Sequence, residues 1–215
     1  VLTVFATLSD VSIYSVYHMV VYGVKQLFVS MTNGIQSLIG ELWAKQETEE
    51  LHDFFGWVEW AIHTGVVFIF GCTVALILPF VSVFTKGITD TNYMQPMFAI
   101  LIVAANACHC LRVPYNLMIL AGGHYKQTQS NYIVAAVLNF GLSVIFVKYA
   151  GLIGVAIGTL VAMLYQTVWM AYYDSRNLIR WPFKNFIKQC FIDVLSLGFI
   201  LFGSNNFSYL FFLFI

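Results

Sequence analysis

Apolar runs broken by short polar clusters cover the whole chain. The long runs fall at residues 11–43, 54–83, 94–120, 131–147, 152–173 and 186–203, with shorter ones at 1–8 and 207–215. About 20 apolar residues carry a helix across a bilayer, so the long runs predict spanning helices. The clusters between them predict turns, loops or interfacial segments. They are Ser9-Asp10, residues 44–53 (AKQETEELHD), 85–93 (TKGITDTNY), 121–130, 148–151, the basic amphipathic stretch 174–188, and 204–206. Trp57 and Trp60 suit an interfacial aromatic belt at the start of the second long helix, and Pro79 predicts a kink at its far end. Gly154, Gly158 and Ala162 recur every four residues, a ridge that permits close helix packing, and Asn139 and Ser143 share one face of the preceding helix.

The runs are not uniformly apolar. His18, Tyr22, Lys25, Asn33 and Gln36 fall on one narrow face of the first long helix. A polar stripe along a spanning helix must face a protein interior or a water-filled cavity. Asn106, His109, Arg112 and Asn116, spaced three, three and four, form a second stripe. Its helix meets Pro114, a candidate bend point for gating, and ends in the turn Gly122-Gly123. Glu59 and His63 are four apart and can pair on one face, stabilising the end of their helix. Asp193 interrupts an otherwise apolar run and is expected to pack against the bundle or near the basic segment.

Composition turns this pattern into a class. The chain is 60% hydrophobic, 17% aromatic and 9% charged, against about a quarter charged in soluble domains. The sequence therefore reads as an all-α integral membrane protein, a polytopic helical bundle. Formal net charge is zero, which gives no footing for nucleic acid. Cys72, Cys108, Cys110 and Cys190 lie in apolar runs and read as free thiols, without metal-ligand spacing. No cofactor is implied. Both ends fall inside apolar runs, which reads as a piece of a larger protein. Lys45, Lys126, Arg176, Arg180, Lys184 and Lys188 gather in one set of alternate loops, against Lys86 and Lys148 in the other, so the first set is expected in the cytoplasm. The stretch 176–188 would also anchor on anionic lipid.

Five stretches carry a resemblance: residues 9–26 (SDVSIYSVYHMVVYGVKQ), 34–45 (GIQSLIGELWAK), 79–93 (PFVSVFTKGITDTNY), 111–129 (LRVPYNLMILAGGHYKQTQ) and 151–167 (GLIGVAIGTLVAMLYQT). Together they resemble the carboxy-terminal lobe of bacterial Wzx-type polysaccharide flippases, in the MATE-like multidrug/oligosaccharidyl-lipid/polysaccharide (MOP) exporter superfamily. The resemblance implies two lobes of six helices around a central cavity. Residues 1–180 would be the carboxy-terminal lobe and residues 181–215 the additional terminal helices. It implies transport without catalysis: an undecaprenyl-pyrophosphate-linked oligosaccharide flipped across the bacterial inner membrane for O-antigen or capsule synthesis. Implied partners are that lipid-linked substrate, the bilayer, a polysaccharide polymerase and glycosyltransferases. Lys25 and Arg112, the only cations within spans, would contact the diphosphate, with His18, Tyr22, Asn33, Gln36, Asn106, His109 and Asn116 lining the cavity.

Two other readings stay open on the residues. A drug or sodium antiporter of the same fold would favour buried carboxylates, whereas the carboxylates here are expected near helix ends. A membrane-embedded polymerase or glycosyltransferase would need a sizeable external loop, and every expected external turn is short.

Overall fold

A computed structural model describes the backbone of residues 7–212 and the side chains as far as residue 200. The described residues form seven α-helices and no strand. The segment expected at residues 1–8 lies almost wholly outside the described residues, as do the last three residues of the one expected at 207–215.

Helix α1 is Leu8–Met31. Thr7 caps it: its hydroxyl oxygen accepts from the Asp10 N–H at 3.2 Å, and the Asp10 carboxylate accepts from the Thr7 N–H at 3.1 Å. This reciprocal box satisfies two end groups and places an acid at the positive end of the dipole. Ser9-Asp10 is therefore the first turn of a helix rather than a separate turn. The expected single helix over residues 11–43 is also divided. It breaks at Thr32, and α2 is Asn33–Lys45. The Thr32 hydroxyl and N–H both donate to the Val29 carbonyl, at 2.8 and 3.0 Å. Such local bonding competes with the i→i−4 ladder.

Helix α3, Thr48–Phe84, starts inside the charged cluster, with Glu49 and Glu50 in its first turn, where the dipole favours them. Its 37 residues remain one helix through Pro79, with no break at the proline. After a loop come α4 (Pro96–Leu111) and α5 (Val113–Ala121), separated by a single residue, Arg112. Pro114 cannot donate to the Cys110 carbonyl, and its ring disfavours helical geometry at the preceding residue. The break thus falls two residues before the proline. Gly123 then adopts φ 71°, and the His124 N–H closes the helix end on the Ile119 carbonyl at 3.1 Å. The chain re-enters a helix at Tyr125, so the loop expected over 121–130 shrinks to three residues.

Helix α6, Tyr125–Asn177, is a hairpin rather than a rod. Gly151 has φ 52° and ψ −129°, and the two halves fold back on each other there. Gly154 faces the Phe146 backbone, and a Cβ on Gly158 would stand 2.7 Å from the Ser143 hydroxyl and 2.8 Å from its backbone nitrogen. The Asn139 side-chain oxygen accepts from Ser143 at 3.2 Å and, across the hairpin, from Thr159 at 3.3 Å. The small-residue ridge therefore does what its spacing suggests. Gly158→Ala is expected to spread the hairpin and cost about 1–3 kcal/mol of overpacking, read as a lowered melting temperature of the detergent-purified protein. Helix α7, Phe183–Phe212, continues through residues 204–206, where a turn was expected.

The connections alternate between two ends of the bundle. Gly122 lies against Trp43 and Leu178, which brings the α2–α3, α5–α6 and α6–α7 connections to one end. At the other end the Tyr17 hydroxyl donates to the Tyr93 carbonyl at 2.9 Å and accepts from the Gln95 N–H at 3.2 Å. Tyr17, Phe55, Phe98, Tyr115, Met118 and Met170 fill the core, each at most 1% exposed. Large apolar side chains also cover the outside: Phe68, Leu76, Val83 and Phe140 are all more than 60% exposed. Among the described residues, three segments are long and apolar enough to cross a membrane: α3, Pro96–Ala121 and α6. The cysteines Cys72, Cys108, Cys110 and Cys190 are unpaired thiols, as expected.

Candidate functional site

Two buried polar clusters occupy the bundle. The first is built around the α4–α5 break. Arg112 is 8% exposed, and its guanidinium donates to the Gln166 side-chain oxygen of α6 and, at 2.9 Å, to His109 Nδ1 one turn earlier. A guanidinium has only donors, so His109 Nδ1 must accept. Both partners are therefore neutral groups. No carboxylate pairs with Arg112 or Lys25 among the described residues. A buried cation without a counter-ion keeps an unspent attraction for an anion.

Around this cation the sequence-derived stripes meet only in part. On α1, Tyr14, His18 and Tyr22 stack in succession, with ring centroids 5.4 and 5.3 Å apart. Lys25 lies 4.5 Å over the Tyr22 ring, an arrangement that shields a cation without neutralising it. Asn116 accepts from the Tyr132 hydroxyl of α6 at 2.6 Å. Asn106 is tied instead to its own helix, donating to the Ile102 carbonyl at 2.9 Å. Asn33 and Gln36 lie beyond the Thr32 break on exposed positions of α2. Pro114 is buried in the first turn of α5.

The second cluster was not legible as a unit. Glu59 and His63 do not pair with each other. Glu59 accepts from the Tyr115 hydroxyl at 2.7 Å and from the Trp181 indole N–H at 2.8 Å. His63 Nδ1 lies 2.6 Å from Asp193 Oδ2, and its Nε2 is 3.5 Å from the Tyr115 hydroxyl. Gln189 donates to the other Asp193 oxygen at 3.4 Å. Glu59, His63 and Asp193 are 4%, 0% and 8% exposed. They sit inside the bundle. Asp174, 1% exposed near the end of α6, has no hydrogen-bond partner for either carboxylate oxygen, and neither polar atom of the Asn131 side chain has one.

Gln166, Tyr132, Tyr115 and Trp181 were absent from the sequence-derived site. Gln166 carried a usable signal, a polar side chain amid the apolar residues 152–173. Tyr115 and Trp181 did not, because either is ordinary in a core or at an interface. No group of three His, Cys, Asp or Glu side chains suited to a metal occurs among the described residues.

Among the described residues, the fold and the two clusters define an all-helical arrangement with three candidate membrane-spanning segments and polar groups held in its interior. No protein-family model, curated protein or solved structure matches it.

Proposed function

We propose that the chain is part of a membrane transporter that carries an anionic, lipid-linked oligosaccharide headgroup across the bacterial inner membrane. The supporting observation is Arg112: a buried guanidinium whose partners, Gln166 and His109, are both neutral. A diphosphate is the anion such a guanidinium binds well, through short, charge-assisted and bidentate hydrogen bonds. Lys25 supplies a second cation on the facing helix, held over Tyr22 without a carboxylate. The single-residue break at Arg112 places the charge where two helix segments, α4 and α5, can change their relative angle. Moving the headgroup needs binding and release on opposite sides, with no covalent step. The resemblance of residues 9–167 to Wzx-type flippases points the same way.

In a strain whose surface polysaccharide depends on this protein, Lys25→Ala and Arg112→Ala each reduce surface polysaccharide at least tenfold, with normal amounts of protein in the membrane. Full complementation by both variants would remove the cavity-cation reading.

A second reading, an antiporter driven by a monovalent cation, is favoured by the buried carboxylates Glu59, Asp174 and Asp193. Uptake of a cationic dye into vesicles, with polysaccharide unaffected by either substitution, would favour it over the first.

A further inference from the structure

We propose that the groove between the second half of α6 and the start of α7 holds one anionic phospholipid of the cytoplasmic leaflet. An acyl chain lies along α6, and the phosphate meets Arg176 and Lys184. The inference is independent of the cargo and of the cluster around Arg112.

The groove has a volume of about 550 Å³ and is lined by Val161, Leu164, Val168, Trp169 and Tyr172 of α6 and by Phe183 of α7. Val161, Leu164, Val168 and Tyr172 recur every three or four residues, so they form one row on the helix. Each is between 40% and 49% exposed, and the row is open to the surroundings. Its walls are held in place by contacts of their own. Trp169 stacks on Tyr173, with ring centroids 5.1 Å apart, and the Tyr173 hydroxyl is 2.8 Å from His124 Nδ1. Tyr172 meets Phe183 edge to face at 5.8 Å, which ties the α6 wall to the α7 wall. Binding sites for apolar ligands are concave, aromatic-lined and largely preformed, and this groove has those properties.

Length and charge together select the occupant. From Val161 to Tyr172 the row runs roughly 16 Å, at about 1.5 Å per residue. One leaflet holds about half of a hydrocarbon core roughly 30 Å thick. The groove is therefore about as long as one leaflet is deep. Residues 152–173 carry no charge, whereas the end of the groove does. The Arg176 guanidinium lies 5.8 Å from the centre of the Tyr172 ring, and Lys184 follows Phe183 in the first turn of α7. Both cations are exposed, and neither pairs with a carboxylate among the described residues. Their donors are free for the charge-assisted hydrogen bonds that a phosphate accepts. The asymmetry of Lys and Arg between alternate loops puts this end in the cytoplasm, where anionic headgroups attract such side chains. A second copy of the chain fits less well, because a two-fold contact along this row would set the same cations against each other.

Trp169 serves as the reporter, because bromine on an acyl chain quenches a tryptophan that it touches. The whole chain is reconstituted in phosphatidylcholine vesicles containing a small share of brominated phosphatidylglycerol or, in parallel, the same share of brominated phosphatidylcholine. Subtracting the signal of Trp169→Phe isolates Trp169 among the five tryptophans. Each cation beside an anionic headgroup is worth about fivefold in binding, so quenching by phosphatidylglycerol is expected to be stronger by about threefold or more. Arg176→Gln combined with Lys184→Gln is expected to remove that preference and to leave quenching by phosphatidylcholine unchanged. Both side chains are exposed, so the substitutions leave the fold intact. Equal quenching by the two lipids in the unaltered chain would overturn the proposal, as ordinary solvation by lipid would then suffice. A preference that survived the double substitution would overturn it too, by placing the headgroup elsewhere. Weak quenching by both lipids would mean that protein, and not lipid, fills the groove, and would equally overturn it. None of these vesicles contains an oligosaccharide-linked lipid, so the outcome is separate from that of the transport experiment.

Discussion

Arg112→Met is expected, on the proposed transport function, to reduce export of the anionic cargo tenfold or more while leaving the protein about as stable as before. The two effects separate because of what Arg112 touches. Taking a guanidinium out of water costs several kcal/mol, and a carboxylate that would offset this is missing among the described residues. The hydrogen bonds to Gln166 and His109 return roughly 1.5–3 kcal/mol each, as bonds to a charged donor do. The sum is near zero, and methionine is long and adaptable enough to fill the vacated space. The net change in unfolding free energy is therefore expected within about 1 kcal/mol, against a loss of transport of tenfold or more. Thermal unfolding of the purified protein, run beside complementation of surface polysaccharide, measures both. A destabilisation of 3 kcal/mol or more would mean that Arg112 is part of a structural ion pair and not a cation kept for a ligand.

Glu59→Leu is expected to have the opposite profile, a large loss of stability. Its carboxylate receives a buried donor, Tyr115 on α5, and a partly buried one, Trp181 in the connection before α7. Removing the acceptor strands both, at about 1–3 kcal/mol for each donor left without a partner in the interior. Trp181 also rests against Gly56, Phe55 and His52, so the connection loses part of its seat on α3. A total loss of about 2–5 kcal/mol is expected, with earlier unfolding and a red-shifted tryptophan emission as Trp181 meets water. Glu59→Gln retains one acceptor oxygen and is expected to lose about half as much. Equal stability of Glu59→Leu and the unaltered chain would show that the network is not what holds this end of α7.

The two expectations differ because the clusters are built differently. Arg112 is a charge with neutral partners and residual capacity. Glu59 is an acceptor whose capacity is already taken by the protein. The same contrast sorts the sequence-derived residues. Lys25, Arg112, His109 and Asn116 keep groups that can meet a ligand or each other near the helix break. Asn106 spends its donor on its own helix, and Asn33 and Gln36 sit past a break that the apolar pattern did not show. His18 and Tyr22 form an aromatic stack that positions Lys25.

Much of the fold was legible because spanning helices are long, and their apolar runs leave few alternatives. The helical class, the free thiols, the Gly122-Gly123 turn and the Gly154–Gly158 packing ridge all follow from residue type and spacing. What failed was local. Thr32 divides a continuous apolar run because its side chain bonds backward to Val29, a choice between two hydrogen bonds that no hydropathy pattern registers. Residues 9–10 and 48–53 looked like turn and loop by polarity, but they are acidic first turns, where the helix dipole and a capping box favour charge. Ser204-Asn205-Asn206 looked like a turn for the same reason, yet the helix runs through it.

Sequence alone determined that this is a helical chain with membrane-length segments, and that Arg112 and Lys25 lie where a cation is costly and therefore informative. It also put Pro114 beside Arg112, which implies a broken helix. Only the tertiary structure decided which polar groups satisfy one another. His63 and Asp193 are 130 positions apart, Glu59 and Trp181 are 122 apart, and Arg112 and Gln166 are 54 apart. Periodicity reports which face of a helix is polar. It does not report which other helix that face will meet, because packing sets the partner through shape and distance. For that reason the sequence placed Glu59 and His63 together as an i, i+4 pair, while packing sent each to a different partner across the bundle.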